Sequence, residues 1–173
     1  MFREMMIIQH HELSDWLGED RHRYNNFNQA YSAFMPKFRG DVLQDPRSKG
    51  VEHIINMDFT TQPMVLVGIA RKFNHPSVTI TGLYVFPDHR RKGYASYLVN
   101  EVQKMTTKNN YVHASVEHSK LNQLRPFYKR LGFKEVKGYS VDPTGTRLYD
   151  FLWSKREIQI LRTPDGLAIK PIS

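Results

Sequence analysis

The stretch that decides the fold runs from Leu83 to Ala95 and reads LYVFPDHRRKGYA. Its first residues are apolar, β-branched or aromatic, which favours a buried strand. Pro87 ends that strand because proline cannot donate to a sheet ladder. From the end of the stretch onward, apolar side chains recur at helical spacing: Ala95, Leu98, Val99, Val102 and Met105. The sequence therefore predicts a strand, a sharp basic turn and an amphipathic helix in immediate succession.

The turn between this strand and this helix has the chemistry of a phosphate-binding site. The first amides of a helix have no intrahelical partner, and the helix dipole places partial positive charge there. Gly93 has no Cβ, so a ligand can approach the backbone closely. Arg90, Arg91 and Lys92 add charge and hydrogen-bond donors. The pattern predicts a pyrophosphate site, and its alternative is a capped surface turn.

Length and composition bound the class of protein. A chain of 173 residues is long enough for one domain with a substantial core, so residues 1–173 are predicted to form a single domain. The sequence has no cysteine, which excludes disulfides, thiolate zinc sites and a cysteine nucleophile. The apolar run from Met5 to Ile8 is too short for a signal peptide or a membrane span. We expect a cytoplasmic protein without membrane association.

The chain is basic, with a formal net charge of +8 and a sequence pI of about 9.7. Such a balance favours a polyanionic partner, which could be a phosphorylated cofactor, RNA, DNA or an acidic protein. A solvated basic surface without a dedicated partner explains the charge equally well.

The adjacent His10 and His11 would point to opposite faces of a strand, so no metal site is predicted.

The order of predicted elements indicates an α/β fold, or α+β in some schemes. Its sheet is expected to be mixed and mostly antiparallel, with a central parallel strand–helix–strand unit and helices on both faces. The predicted strands cover residues 3–9, 51–58, 64–72, 77–86, 111–116, 133–139 and 147–153; the predicted helices cover residues 12–20, 22–39, 92–107 and 122–131; and residues 157–170 form a hairpin-like extension.

Two motifs in this order resemble one known family. The first is the basic turn from Arg90 to Ala95, RRKGYA, which fits a pattern of Arg or Gln, two residues, Gly, one residue, then Gly or Ala. The second is FYKRLGF, from Phe127 to Phe133. With the strand and helix between them, they make the sequence similar to the GNAT family of acyl-CoA N-acyltransferases over about residues 64–153.

The resemblance implies acetyl-CoA as co-substrate and assigns site residues by motif position. The pantetheine arm would lie along the strand that precedes the turn, as an added strand would. Tyr128 falls at the position of the family's usual general acid. The implied arm contacts are Leu83, Tyr84 and Val85, and the implied pyrophosphate cradle is Arg90, Arg91, Lys92, Gly93, Tyr94, Ala95 and Ser96.

This sequence departs from the family pattern at two points. Many relatives carry a carboxylate on the strand before the turn as general base, but residues 79–85 contain no acid. Glu117 and His118, at the end of the next strand, are the candidates, and a water chain is the alternative. Asn122 precedes Tyr128 by six residues where the family has seven, and it is the remaining candidate for a cofactor contact.

The resulting expectation is an N-acetyltransferase in which a primary amine attacks acetyl-CoA directly, without metal. The acceptor could be a small molecule, a protein or aminoacyl-tRNA. The alternative is a non-catalytic CoA- or RNA-binding module on the same fold. The extension from Glu157 to Ser173 alternates apolar residues, so it could pair with the sheet edge of a second subunit to form a homodimer, or fold back on its own sheet.

Overall fold

The computed structural model describes residues 5–9, 25, 51–57, 63–71, 77–85, 87–107, 110–164 and 166–172. The chain divides into two compact units: Met1–Phe73 with Ile80–Val99, and Asn74–Thr79 with Asn100–Ser173. Residue 25, which is helical, is the one described position of the helices predicted over residues 12–20 and 22–39; their other residues fall outside the described ones, as do His10 and His11.

The first unit is built on antiparallel strands. Strand β1 is Met5–Gln9, β2 is Val51–Met57 and β3 is Pro63–Arg71, and each pairs antiparallel with the next. Strand β4, Ser77–Val85, is the neighbour of β3 in the sheet order. All four strands agree with the sequence prediction to within two residues. The antiparallel arrangement of the early strands is therefore confirmed.

A short 3-10 turn, Pro87–His89, leads from β4 into helix α1, Tyr94–Met105. The helical spacing seen in the sequence corresponds to a buried face, since Leu98, Val99 and Val102 have almost no exposed surface. Burying aliphatic side chains of this size stabilises the fold by about 1.5–3 kcal/mol each. The predicted strand, turn and helix are thus confirmed in order and in position.

The second unit centres on strand β8, Arg147–Ser154. Strand β5, Tyr111–Glu117, pairs antiparallel with β8 and sets Ala114 opposite Phe151. Between β5 and β8 the chain forms a 3-10 turn, His118–Lys120, and helix α2, Leu121–Arg130. Alternate β5 residues are buried and pack into the core with the middle of β8: Val112, Ala114, Val116, Phe151 and Leu152.

The predicted strand over residues 133–139 is wrong in its extent. The structure has two short strands instead, β6 at Lys134–Glu135 and β7 at Ser140–Val141, both antiparallel to β8. Gly138 lies between them with φ of +84°, a left-handed conformation that an extended strand does not contain. The predicted end of α2 is correct, since the Gly132 and Phe133 amides donate to the Lys129 and Tyr128 carbonyls.

The C-terminal extension forms a hairpin of its own. Strand β9, Ile158–Thr163, pairs antiparallel with β10, Gly166–Pro171. Arg162 of β9 donates to the Lys137 carbonyl and to the Asp150 carboxylate, so the hairpin is tied to its own unit. Together the elements form an α/β fold with a mixed sheet, as predicted. None of the helices described here is long and apolar enough to cross a membrane.

Candidate active site

The basic turn of the first unit has an unusual backbone. Arg91 has φ of +61° and Gly93 has φ of +85°, so two of three consecutive residues are left-handed. The Arg90 amide donates to the Pro87 carbonyl at 3.2 Å, which closes the turn. The first helical bond runs from the Tyr97 amide to the Gly93 carbonyl at 3.0 Å. The amides of the first helical turn are therefore directed toward the turn and away from the helix body.

The basic side chains of the turn fold back on its own backbone. Arg90 Nε donates to the Val85 carbonyl at 3.0 Å, and the guanidinium lies 5.7 Å from the centre of the Tyr84 ring. Lys92 Nζ donates to the Asp88 carbonyl at 2.8 Å. These bonds hold the turn in shape and keep two cations beside it. The Arg90 bond uses the carbonyl of Val85, one of the three residues that the resemblance implies as contacts of the pantetheine arm.

The left-handed conformation of Arg91 is strained. For a residue with a Cβ this conformation costs about 1–2 kcal/mol, which is why glycine usually occupies it. Arg91 is exposed, so burial of its side chain does not offset the cost. Backbone strain of this kind concentrates at binding and catalytic sites. The strain at Arg91 therefore makes the turn a candidate binding site.

Tyr128 of the second unit is buried in an aromatic cluster. Its ring stacks on Phe151 at 5.2 Å and meets Phe133 and Phe127 edge-on at 5.2 and 5.1 Å. Only 5% of the residue is exposed, and burial raises the pKa of its hydroxyl to about 12. Among the described residues the hydroxyl has no hydrogen-bond partner. Tyr128 therefore holds its proton throughout the neutral range.

The other predicted site residues of this unit lie just before Tyr128. Glu117, half-buried, ends β5, and its carboxylate accepts a long hydrogen bond of 3.5 Å from Ser119. His118 is exposed, and its ring lies 5.7 Å from that of Tyr149. Since Tyr149 and Phe151 are two apart on β8, His118 and Tyr128 pack against neighbouring rings on one face of the strand.

Asn122 lies in the first turn of α2 and is exposed. Pro126 stands four residues further on, inside the helix, and has no amide to donate to the Asn122 carbonyl. The Asn122 carbonyl therefore lacks the usual α-helical hydrogen bond from the residue four positions on.

A buried polar cluster surrounds Asp150, and no sequence motif indicated it. Asp150 is 5% exposed and accepts from His113 Nε2 at 2.8 Å and Ser115 Oγ at 2.9 Å through one oxygen, and from Arg162 Nη2 at 2.8 Å through the other. Polar residues at alternate positions of β5, between buried aliphatics, were the available signal. The partner on β8 depends on strand register, which the sequence does not state.

Burial and hydrogen bonding act in opposite directions on Asp150. Burial alone would raise the pKa of its carboxyl, but the hydrogen bonds from His113, Arg162 and Ser115 outweigh it and lower the pKa to about 2. The carboxylate is therefore ionised under all ordinary conditions. Within the described ranges, no group of three or more His, Asp or Glu side chains is arranged to hold a metal ion.

The predicted donor-binding residues, 83–85 and 90–96, thus belong to the first unit, and Glu117, His118, Asn122 and Tyr128 belong to the second. A family model described as the acetyltransferase (GNAT) domain matches residues 43–152. The chain belongs to the GNAT acetyltransferase family. The matched segment contains every site residue that the resemblance had indicated. Acetyl-CoA is the co-substrate that this family uses.

Solved structures of GNAT proteins have the same fold. An aminoglycoside 6'-N-acetyltransferase complexed with coenzyme A is 13% identical to this chain, with a TM-score of 0.60. The superposition covers 86% of this chain and 96% of the aminoglycoside enzyme. Spermidine N-acetyltransferase from Vibrio cholerae, in complex with CoA and spermine, is 16% identical to this chain, with a TM-score of 0.59. That superposition covers 87% of this chain and 94% of the spermidine enzyme. At such identities the likeness concerns the fold. A search of curated proteins finds no match to the chain.

Proposed function

We propose that this protein is an acetyl-CoA-dependent N-acetyltransferase that acts on a primary amine. The observation that carries the proposal is the turn from Arg90 to Ser96. It combines two left-handed residues, an exposed basic surface and the start of α1. A pyrophosphate at a helix N-terminus is stabilised by the amides and by the dipole, and the cations add charge-assisted bonds. Binding of CoA accounts for a strain that folding alone does not.

The proposed chemistry is direct transfer. The amine nitrogen attacks the thioester carbonyl, the C–N bond forms, and the C–S bond breaks as CoA leaves with the electron pair as a thiolate. Cysteine is absent, so a cysteinyl intermediate is excluded. The proton lost by the amine passes to a base, for which Glu117 and His118 are the candidates, and the sulfur is protonated from the acid.

Tyr128 is proposed as that acid. A phenol with a pKa of about 12 is a weak acid beside an ordinary thiol, whose pKa is near 8.5. A thiolate that leaves in an equally desolvated place also has a raised pKa, because burial penalises its charge. Under those conditions a hydroxyl that donates to the sulfur stabilises the leaving group and can transfer its proton. The burial of Tyr128 and the unused hydrogen-bonding capacity of its hydroxyl among the described residues support this role.

The proposal is tested by calorimetry with acetyl-CoA, followed by turnover with a panel of primary amines. Acetyl-CoA is expected to bind, and Tyr128→Phe to retain that binding while kcat falls by about a hundredfold, as loss of a general acid does. Tyr111→Phe is the matched control, because it removes another tyrosine hydroxyl of the same unit whose hydrogen bond goes to Ser77. Absence of acetyl-CoA binding at millimolar concentration would refute the proposal, and unchanged turnover in Tyr128→Phe would remove Tyr128 from the mechanism.

We also propose that the reaction takes place in the cytoplasm. The chain contains no cysteine, which suits a reducing compartment. The acceptor is a primary amine on a small molecule, a protein or an aminoacyl-tRNA. The amine panel separates these classes.

A further inference from the structure

A cleft of about 490 Å³ lies in the second unit; neither Tyr128 nor Glu117 lines it, although Phe133 of its lining contacts the Tyr128 ring. Lys129, Lys134 and Lys137 line it on the basic side, and Phe133, Val136 and Tyr149 supply apolar surface. Its volume is in the range of pockets that hold a nucleotide-sized ligand. A basic, partly aromatic concavity is suited to a ligand that carries both negative charge and flat rings.

The only acidic residue of the lining is already neutralised. Arg125 donates to both carboxylate oxygens of Glu135, at 2.9 Å from Nη2 to Oε1 and 2.9 Å from Nε to Oε2, and Lys129 Nζ lies 3.5 Å from Oε2. The hydrogen bonds from Arg125 hold the pKa of Glu135 below its usual range, so it stays ionised and paired. Its charge is therefore not available to compensate the remaining cations.

Lys134 and Lys137 are exposed and have no ion-pair partner among the described residues. A lysine on an edge strand commonly protects the edge from pairing with other chains. That explanation covers Lys134, which is on β6, but not Lys137, which follows the end of that strand. Two uncompensated lysines beside one concave surface form a site of positive potential.

A row of rings begins at Tyr149 in the cleft and extends beyond it. The Tyr149 ring lies 5.7 Å from His118 and 5.8 Å from Tyr139, and the Arg147 guanidinium lies 4.8 Å from the Tyr139 ring. Tyr139 is 43% exposed, and His118 and Arg147 at the two ends are exposed as well. Unpaired bases stack on aromatic rings and on arginine planes.

The sequence around the cleft carries a disproportionate share of the charge. Residues 117–149 contain seven Lys or Arg and three Asp or Glu, a net of +4, which is half of the +8 of the whole chain. The basic turn at Arg90 lies outside this segment. The positive charge of the chain is therefore concentrated in a second segment, and binding of a pyrophosphate at the basic turn does not explain that segment.

We propose that this cleft and the adjoining ring row bind single-stranded nucleic acid. The lysines contact the phosphates, and unpaired bases stack at the ends of the row. A duplex keeps its bases stacked inside, so it can satisfy the lysines but not the rings. An acidic peptide likewise offers charge without flat rings. The binding does not depend on acetyl transfer.

The test uses fluorescence anisotropy with labelled oligouridine of about 12 nucleotides, a length that single-strand grooves cover. The same measurement is made with single-stranded DNA of equal length, with duplex RNA and with polyglutamate. Both single strands are expected to bind more tightly than the duplex or the peptide. The affinity should fall with salt, because each phosphate contact releases counterions.

The decisive variant is Lys134→Ala with Lys137→Ala. We expect its affinity for the oligonucleotide to fall about tenfold and its salt slope to decrease by about 1.4, two single-strand contacts at 0.7 each. The matched control, Arg156→Ala with Lys170→Ala, removes the same charge from exposed positions elsewhere in the unit. It is expected to change the affinity less than twofold.

Three results would overturn the proposal. These are failure of both single strands to bind, equal loss in the double variant and its control, and polyglutamate or duplex binding as tight as that of the single strand. Acetyl-CoA affinity is measured on the same proteins. A loss there in the cleft variant would assign the cleft to the co-substrate and refute a separate site, whereas absence of acetyl-CoA binding in the unmodified protein refutes only the proposed transfer.

Discussion

The basic turn and the Tyr128 cluster represent opposite ways of building a functional region. The turn is exposed, strained at Arg91 and made largely of backbone and cations. The Tyr128 cluster is buried and is made of rings in ordinary stacked and edge-on contacts. Packing does not account for the left-handed conformation of the exposed Arg91, whereas packing accounts for the position of the Tyr128 ring. Ring packing does not account for the hydroxyl group of Tyr128, which is the part of the side chain with a proposed chemical role.

This difference predicts how substitutions divide between the two regions. In the Tyr128 cluster, side-chain size should control stability and a single oxygen should control activity. In the turn, backbone conformation should control ligand binding, and relief of strain should stabilise the fold. The following measurements test that division from the largest effect to the smallest.

Tyr128→Ala should give the largest loss of stability. It removes a buried ring from contact with Phe133 and Phe151 and leaves a cavity, which typically costs about 3–5 kcal/mol. Tyr128→Phe keeps the ring and should change the free energy of unfolding by less than about 0.5 kcal/mol. Urea denaturation of both variants checks this. A large loss in Tyr128→Phe would mean that the hydroxyl is structural after all.

Asp150 should give the next largest effect, through acid stability. Its folded-state pKa of about 2 lies below the ordinary value of 3.8, so its stabilising contribution is complete above pH 4 and is lost as the pH falls through 2. The shift corresponds to about 2 kcal/mol. Urea titrations at pH 5, 4, 3 and 2 measure it. Asp150→Asn should lack this component, while Glu157→Gln, at an exposed position, should retain it.

Gly93→Ala should cost about 1–2 kcal/mol of stability, because a Cβ is disfavoured at φ of +85°. It should also weaken acetyl-CoA binding by at least about tenfold, since the Cβ stands where the backbone would meet the ligand. Gly145→Ala is the matched control. Its φ is +82° and nothing lies within 4 Å of an added Cβ, so it should lose similar stability with acetyl-CoA affinity unchanged. Equal affinities in both variants would contradict a binding role for the turn.

Arg91→Gly should have the smallest effect and the opposite sign. Removing the Cβ relieves the strain at φ of +61°, and the gain of about 1–2 kcal/mol is reduced by the greater freedom of glycine in the unfolded chain. A net stabilisation of up to about 1 kcal/mol is expected in thermal or urea denaturation. Destabilisation would show that the Arg91 side chain contributes to the fold. That result would break the contrast between the two regions.

The sequence predicted the class of the fold and most of its elements, but not the point at which one predicted strand is interrupted. Helix α1 and the end of α2 were predictable because periodicity, Pro87 and a helix-ending glycine are local signals. The division of residues 133–139 into two short strands was not, since a glycine in a strand-like segment does not state its φ in advance. Local sequence signals thus predict where helices and strands occur, but they did not predict the break between β6 and β7.

The candidate site divides in the same way. The turn and Tyr128 could be found because each lies in a short contiguous motif. The Asp150 cluster could not, because His113, Asp150 and Arg162 come from three strands that meet only in the folded chain. The cleft with Lys134 and Lys137 is of the same kind, since its lining joins a helix end, an edge strand and Tyr149 of β8.

The contact between Arg162 and Asp150 has a consequence for where this unit ends. The family match stops at residue 152. The carboxylate of Asp150 nevertheless receives one of its three hydrogen bonds from Arg162, which lies beyond that boundary. A chain shortened after Ser154 would leave a buried anion with one partner fewer, and losing one partner of a buried ion pair commonly costs about 3–5 kcal/mol. The stabilising contacts of this unit therefore extend beyond the family match, at least as far as Arg162 of β9.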